Sequence, residues 1–211
     1  MIQAVVSDFG GVLTTPLLRA FDRLQDGIPV PGEAYGEAMA YSLREDGVHP
    51  LFALERGEIS EPDFLARVER GLAEAAGIRV SLHGLGSQLM DALAPNRELF
   101  DHYSALRRER GLRFALCTNN VREWEPLWRP KLPIDELFEV VVDSAFVGTR
   151  KPEPEIYAIT LKRLGLAGDA CAFVDDLEVN VAAARAAGMH GIVFRDTAQA
   201  IAALSSLVGP S

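Results

Sequence analysis

The chain has 211 residues and a mass of 23.0 kDa, with 48% hydrophobic and 24% charged residues, a composition that excludes a disordered, collagen-like or disulfide-built protein. Thirty acidic against 21 basic residues give a formal charge of −9. That balance argues against a general nucleic-acid binder, because neutralising phosphates takes clustered Lys and Arg. The length suits one domain of about 150 residues with an insertion, or two small domains. An acidic chain repels anions at long range, so a phosphate site in it needs a local cation such as a metal.

In chain order, residues 2–7 (IQAVVS) form a short apolar run ending at Asp8, Gly10 and Gly11. This predicts a buried strand that delivers Asp8 to a loop at its carboxyl end. Thr14 and Thr15 follow. Residues 16–93 change character, with Ala, Leu and Glu in helical periods broken by GIPVPG, EDGVHP and ERGEISEP. Within them Ser60, Pro62 and Asp63 mark a helix start, and Leu65, Val68, Leu72 and Ala76 share one face of the helix that follows.

After Pro95 the pattern alternates. A helix is expected near 96–110, then strands at 113–118 (RFALCT) and 139–144 (EVVVDS), and a helix at 154–166. A strand at 170–176 (ACAFVDD), a helix at 178–188, a strand at 191–194 and a last helix near 197–207 complete the chain. Strands alternating with helices predict parallel βαβ units, and so an α/β fold with a three-layer, doubly wound parallel sheet interrupted by a helical insertion. Trp124 and Trp128 in EWEPLWRPKLP are expected to pack a short helix onto the body.

The compact basic cluster, Arg107, Arg108 and Arg110, is diluted by Glu109 and reads as a solvated helix face. Cys117 and Cys171 stand in apolar contexts without CxxC spacing, which predicts reduced, buried thiols. The start MIQAVVSDFGG lacks the features of a signal peptide. No apolar run approaches the roughly 18 residues of a membrane helix, and the expectation is a cytoplasmic monomer or homodimer with no nucleic-acid or membrane partner.

In open parallel sheets, ligands bind beyond the carboxyl ends of the strands. The predicted strands deliver there Asp8, then Thr118 with Asn119 and Asn120, then Asp175 with Asp176, while Lys151 lies in the loop GTRKPEP. Taken singly, an Asp at a strand end is commonly a turn or capping residue, and an acidic pair is commonly solvated. Together the three carboxylates would repel one another unless a divalent cation and a lysine offset them.

The set VVSDFGGVLTT, ALCTNN, RKPEPEIY and FVDDLEVNVAAARAAGM, in this order, resembles the four motifs of the haloacid dehalogenase-like hydrolase superfamily across essentially the whole chain. GEISEPDFL looks like part of the helical cap that this family inserts after its first motif, and DFGGVL resembles the amino-terminal phosphatase domain of soluble epoxide hydrolases. The resemblance implies a Rossmann-like core at 1–15 and 94–211 and a cap at 16–93. It also implies a Mg²⁺-dependent phosphatase for a small phosphorylated metabolite, with Asp8 as nucleophile through an aspartyl-phosphate. Mg²⁺ would be held by Asp8, the Gly10 carbonyl, Asp175 and Asp176, with Asp176 the more direct of the pair. Thr118, Asn119 and Lys151 would bind the phosphoryl group, Lys151 offsetting the charge on Asp8.

The departure from the pattern is Gly10, where phosphatases of the family carry a second Asp as general acid and base. Its loss removes a contribution of about 10² to 10⁴ in rate, unless the leaving group departs without a proton or Thr14, Thr15 or His49 assists. Two alternatives stay open: a non-catalytic or regulatory member that binds metal or phosphate, and a metal-independent 2-haloacid dehalogenase. The acidic pair counts against the second, since those dehalogenases carry uncharged residues there. His83 and His190 read as structural. Arg19 and Arg23, on the first insertion helix, either face the cleft or belong to a solvated face.

Overall fold

The computed structural model describes residues 1–16 and 30–209, so Arg19 and Arg23 lie outside the described residues. Strands β1 (Ala4–Ser7), β2 (Arg113–Thr118), β3 (Val140–Asp143), β4 (Cys171–Asp175) and β5 (His190–Val193) form one parallel sheet in the order β3-β2-β1-β4-β5. The central strand β1 pairs with β2 on one side, Ser7 opposite Leu116, and with β4 on the other, Ser7 opposite Val174. The chain therefore runs outward from β1 in one direction through β2 and β3, then crosses back to β4. That reversal leaves a crevice at the carboxyl ends of β1 and β4, the place where such sheets bind ligands.

Helices α1 (Gly32–Asp46), α2 (Pro50–Glu55), α3 (Glu61–Ala76) and α4 (Leu85–Ala92) all fall between β1 and β2, preceding α5 (Arg97–Arg110). The short helices α6 (Glu125–Trp128) and α7 (Ile134–Leu137) join β2 to β3. Helices α8 (Ser144–Val147) and α9 (Pro154–Leu164) join β3 to β4, α10 (Glu178–Ala186) precedes β5, and α11 (Thr197–Val208) follows it. No helix among the described residues is long and apolar enough to cross a membrane.

The strands read as continuous apolar runs because both faces of the sheet are covered. Side chains alternate: Val5, Phe114, Leu116 and Val174 join a core with Leu99, Tyr103 and Leu204 of α5 and α11. Val6, Ala115, Cys117 and Phe173 meet Ile156, Tyr157 and Val181 of α9 and α10 on the opposite face. Cys117 and Cys171 are both buried free thiols, and burial pushes each up to about 11.

The expected start of α3 holds, with Ser60 Oγ accepting from Asp63 N at 3.3 Å and Pro62 in the first turn. Its face of Leu65, Val68 and Leu72 is buried, joined by Phe64 and Gly71. A Cβ at Gly71 would stand 2.6 Å from the Ala38 carbonyl oxygen, so this glycine sets how closely α3 approaches α1. Trp124 and Trp128 are buried at the helical joint after β2, and Trp128 lies 4.9 Å from the Phe9 ring.

The basic cluster on α5 lies on a solvated face as expected, with Arg107, Arg108 and Glu109 exposed and Arg110 half-buried. Arg107 Nη1 donates to the Glu136 and Leu137 carbonyls at 2.5 and 2.6 Å, and Arg110 Nη2 donates to those of Val208 and Gly209. Two arginines thus satisfy carbonyls left open at the ends of α7 and α11. Arg108 pairs with Glu109 at the surface. His190 begins β5, with Nε2 3.0 Å from the Asp169 carbonyl oxygen, and His83 lies in an exposed loop.

Candidate active site

β1 ends one residue before Asp8, whose own N–H still donates to the Val174 carbonyl at 2.9 Å and so continues the ladder to β4. The chain then turns, and Phe9 N donates back to Asp8 Oδ1 at 2.7 Å. Across the crevice, Lys151 Nζ lies 2.8 Å from Asp8 Oδ1 and 2.6 Å from Asp175 Oδ2. All three residues are buried, Asp175 wholly and Lys151 to 1% exposure. An ammonium this deep is tolerable only because two carboxylates pair with it.

Each member is held by neighbours. Asp175 Oδ1 accepts from Leu177 N and Asn180 Nδ2, both at 2.9 Å, and the Asn180 carbonyl accepts from Tyr157 Oη at 2.9 Å. The Lys151 backbone is clamped on both sides by one side chain. Asn119 Nδ2 donates to the Lys151 carbonyl at 2.9 Å, while Lys151 N donates to Asn119 Oδ1 at 2.7 Å. Thr118, at the end of β2 and 1% exposed, has its hydroxyl 3.5 Å from the Asn119 carbonyl.

The charges are strongly coupled. Burial pushes the Asp8 carboxyl up to about 7, with Asp175 and Asp176 adding to the rise and Lys151 opposing it. For Lys151, burial acts to lower the ammonium, but Asp175 and Asp8 outweigh it and hold the group well above the ordinary lysine range. Asp176 is raised by burial and by Asp175. The edge carries more carboxylate than one lysine offsets, and a bound cation would correct that imbalance.

Asp8, Asp175 and Asp176 each offer an oxygen, and these oxygens lie within 4.8 Å of one another. An all-oxygen donor set of this spacing fits a hard divalent cation such as Mg²⁺. Asp175 has both oxygens engaged, whereas Asp176 forms no ion pair among the described residues. Gly11 makes room for Asp176: a Cβ there would stand 2.2 Å from Asp176 Oδ2, and the backbone is left-handed at φ +84°. Gly10 is different. A Cβ there would meet nothing within 4 Å among the described residues, and its φ lies outside the left-handed region.

Of the expected assistants, Thr14 and Thr15 line a cavity together with Gly11 and Asp176. The buried Thr14 hydroxyl lies 3.4 Å from the Phe9 carbonyl and 3.2 Å from that of Thr15, and Thr15 Oγ1 accepts from Ala94 N at 3.2 Å. They tie the outgoing chain to the returning one at Pro95. His49 stacks on Phe52 with ring centres 4.2 Å apart, and the Arg150 guanidinium lies 4.0 Å over that same Phe52 ring. Burial, together with Arg150, lowers the His49 imidazole. Gly11, the Asn180 bond to Asp175 and the Asn119 clamp were not assigned these roles from sequence. The paired Gly10–Gly11 and the Asn following the acidic pair were the signals available.

A family model for haloacid dehalogenase-like hydrolases matches residues 2–188. The chain belongs to that family. Among curated relatives, phosphatase MT3486 of Mycobacterium tuberculosis is 32% identical over 195 residues, covering 90% of this chain and 85% of that protein. Bifunctional epoxide hydrolase 2 of Rattus norvegicus is 26% identical over 223 residues, which cover 99% of this chain and 39% of that longer protein. Of solved structures, a HAD-like family hydrolase from Porphyromonas gingivalis superposes with a TM-score of 0.72 at 26% identity, covering all of both chains. A HAD family enzyme from Bacteroides thetaiotaomicron, in complex with magnesium and inorganic phosphate, superposes with a TM-score of 0.65 at 21% identity over 92% of this chain and 95% of that one. The parallel five-stranded sheet flanked by helices is the Rossmann-like fold of the family.

Proposed function

We propose that this hydrolase is a Mg²⁺-dependent phosphatase for small phosphorylated molecules whose leaving group departs without needing a proton. The observation that carries the reading is the buried triad in which Lys151 Nζ bridges Asp8 and Asp175 beside a third carboxylate, Asp176. A dehalogenase acting without metal has no use for that surplus of acid. The phosphatase relative and the structural neighbour that holds magnesium and phosphate support the same choice.

In this reading Asp8, Asp176 and the Gly10 carbonyl hold the cation, with Asp175 behind them. The cation, when bound, supplies positive charge to the phosphoryl oxygens. The Asp8 carboxylate oxygen attacks phosphorus in line, the bond to the leaving oxygen breaks, and water then hydrolyses the aspartyl-phosphate. Together with the bound cation, Lys151 favours the ionised Asp8 against its burial, and it offsets charge on the transferring group, while Thr118 and the backbone after it bind phosphoryl oxygens. Residues 16–93 act as a cap over a core of 1–15 and 94–211. Among the described residues no proton donor stands within 4 Å of where a Gly10 side chain would begin, which favours acyl and aryl phosphates over alkyl ones.

The test is a panel of acyl, aryl and alkyl phosphates assayed with and without Mg²⁺, with Asp8→Asn as control. Turnover of acyl or aryl phosphates that needs Mg²⁺ and is lost in Asp8→Asn is expected. If no phosphate turns over faster with the native chain than with Asp8→Asn, the protein is a non-catalytic binder instead.

A further inference from the structure

Lys151 has a second set of supports, and they come from the helical segment rather than from the sheet. Its neighbour Arg150 extends to the end of α2, where Nε pairs with Glu55 Oε2, and both side chains are largely buried, at 14% and 15% exposure. Two residues beyond Lys151, Glu153 Oε1 accepts from Arg56 Nη1 at 3.0 Å. The other Glu153 oxygen accepts from Thr149 Oγ1 at 2.9 Å and from Arg150 N at 3.0 Å, so it braces the loop from within. Glu55 and Arg56 are consecutive, and they grip the loop on either side of Lys151 across 95 and 97 residues of sequence.

The fit around these pairs is close. A Cβ at Gly57 would stand 2.3 Å from the Ala145 carbonyl oxygen, so residue 57 sits directly on α8. Burial raises the Glu55 carboxyl, with Arg150 opposing that rise. A buried charge left without its partner is costly, whereas removing both partners costs much less.

We propose that Arg150 is a positioning residue for Lys151, and that Glu55 and Arg56 make docking of the helical segment a condition for placing that lysine against Asp8. The Asn119 clamp fixes the Lys151 backbone from the core side, and the two ion pairs fix its flanks from the opposite side. Undocking releases Arg150 and Glu153 together, and the ammonium loses its alignment with Asp8 and Asp175. The inference rests on the phosphatase reading for its kinetic consequence, but its structural half does not.

The experiment uses the full chain with Mg²⁺ and p-nitrophenyl phosphate as probe, comparing Arg150→Gln, Arg150→Lys, Glu55→Gln and the double variant. Arg150→Gln and Glu55→Gln are each expected to lower kcat about tenfold, as small misplacements of a catalytic group do, with KM changed less than twofold. Arg150→Lys regains part of the loss, and the double variant is no worse than the worse single one, as for residues acting through one pair. Native kcat in Arg150→Gln, or losses that multiply in the double variant, would overturn the proposal.

The second readout needs no activity. Spin labels at Glu45→Cys on α1 and Lys162→Cys on α9, both exposed positions, report docking directly, since Cys117 and Cys171 are buried. A narrow distance distribution that broadens in Arg150→Gln and Glu55→Gln supports the latch, and an unchanged one refutes it. If the native chain leaves the probe phosphate intact while the distances still broaden, the phosphatase reading fails and the latch stands.

Discussion

Restoring a carboxylate at position 10 tests where the chemistry is incomplete. The backbone at Gly10 is outside the left-handed region and a Cβ there meets no atom of the described residues within 4 Å, so Gly10→Asp enters without clashing with them. The new carboxyl joins an edge already holding Asp8, Asp175 and Asp176. Like charges raise its pKa, which suits it to donate a proton near neutrality. General acid catalysis contributes about 10² to 10⁴ in rate, or roughly 3 to 5 kcal/mol of barrier at 1.36 kcal/mol per decade. That gain belongs to substrates whose leaving oxygen needs a proton. The kcat for glycerol phosphate is therefore expected to rise by about 10² or more in Gly10→Asp, and that for p-nitrophenyl phosphate by far less. Gly10→Asn, of the same shape without the proton, is expected to leave both near the native value. Equal gains on the two substrates, or no gain in a folded variant that still binds Mg²⁺, would refute the idea that position 10 addresses the leaving group.

Gly11→Ala places a Cβ on Asp176 in a left-handed backbone, at a cost of roughly 1 to 2 kcal/mol; calorimetric titration is expected to show weaker Mg²⁺ binding as Asp176 is displaced. Lys151→Met leaves Asp8 and Asp175 buried without their cation; the loss is about 3 to 5 kcal/mol, seen as a fall in Tm that added Mg²⁺ partly reverses. Asp8 gives a pH signature in the metal-free chain. Its folded carboxyl keeps a proton up to about pH 7, while the unfolded one releases it near 3.8, so folding binds a proton between these values and stability falls as pH rises through them. The Tm of the native chain relative to Asp8→Asn is accordingly expected to drop from pH 4 to 7, and saturating Mg²⁺ to abolish that drop; a difference that is flat or rising with pH would contradict the burial argument.

Much of the site was legible in the sequence because strand ends are local features. Asp8, Thr118 and Asp175 each close or follow a run of apolar residues, and a parallel sheet gathers such ends at one edge whatever the intervening lengths. Lys151 was legible through its resemblance to a family motif rather than through any pattern of its own. Boundaries shifted by a residue or two: β4 ends at Asp175, so Asp176 begins the loop and stays open to a cation. The carbonyl contacts of Arg107 and Arg110 were not legible, because Glu136, Leu137, Val208 and Gly209 come from segments far along the chain. The bridge from Thr14 and Thr15 to the returning chain at Ala94 and Pro95 was hidden for the same reason.

By itself, then, the sequence determined the alternation of strands and helices, the acids that cap the central strands and the empty side-chain position at Gly10. All of these follow from periodicity and from residue type at fixed spacing, which depend only on near neighbours. Tertiary structure decided how those acids are used. Packing put Lys151 between Asp8 and Asp175, gave both faces of the Asn119 amide to the lysine backbone, and set Gly11 under Asp176. It also joined Glu55 to Arg150. Such contacts depend on where distant segments meet, and burial at those meetings fixes their charge states.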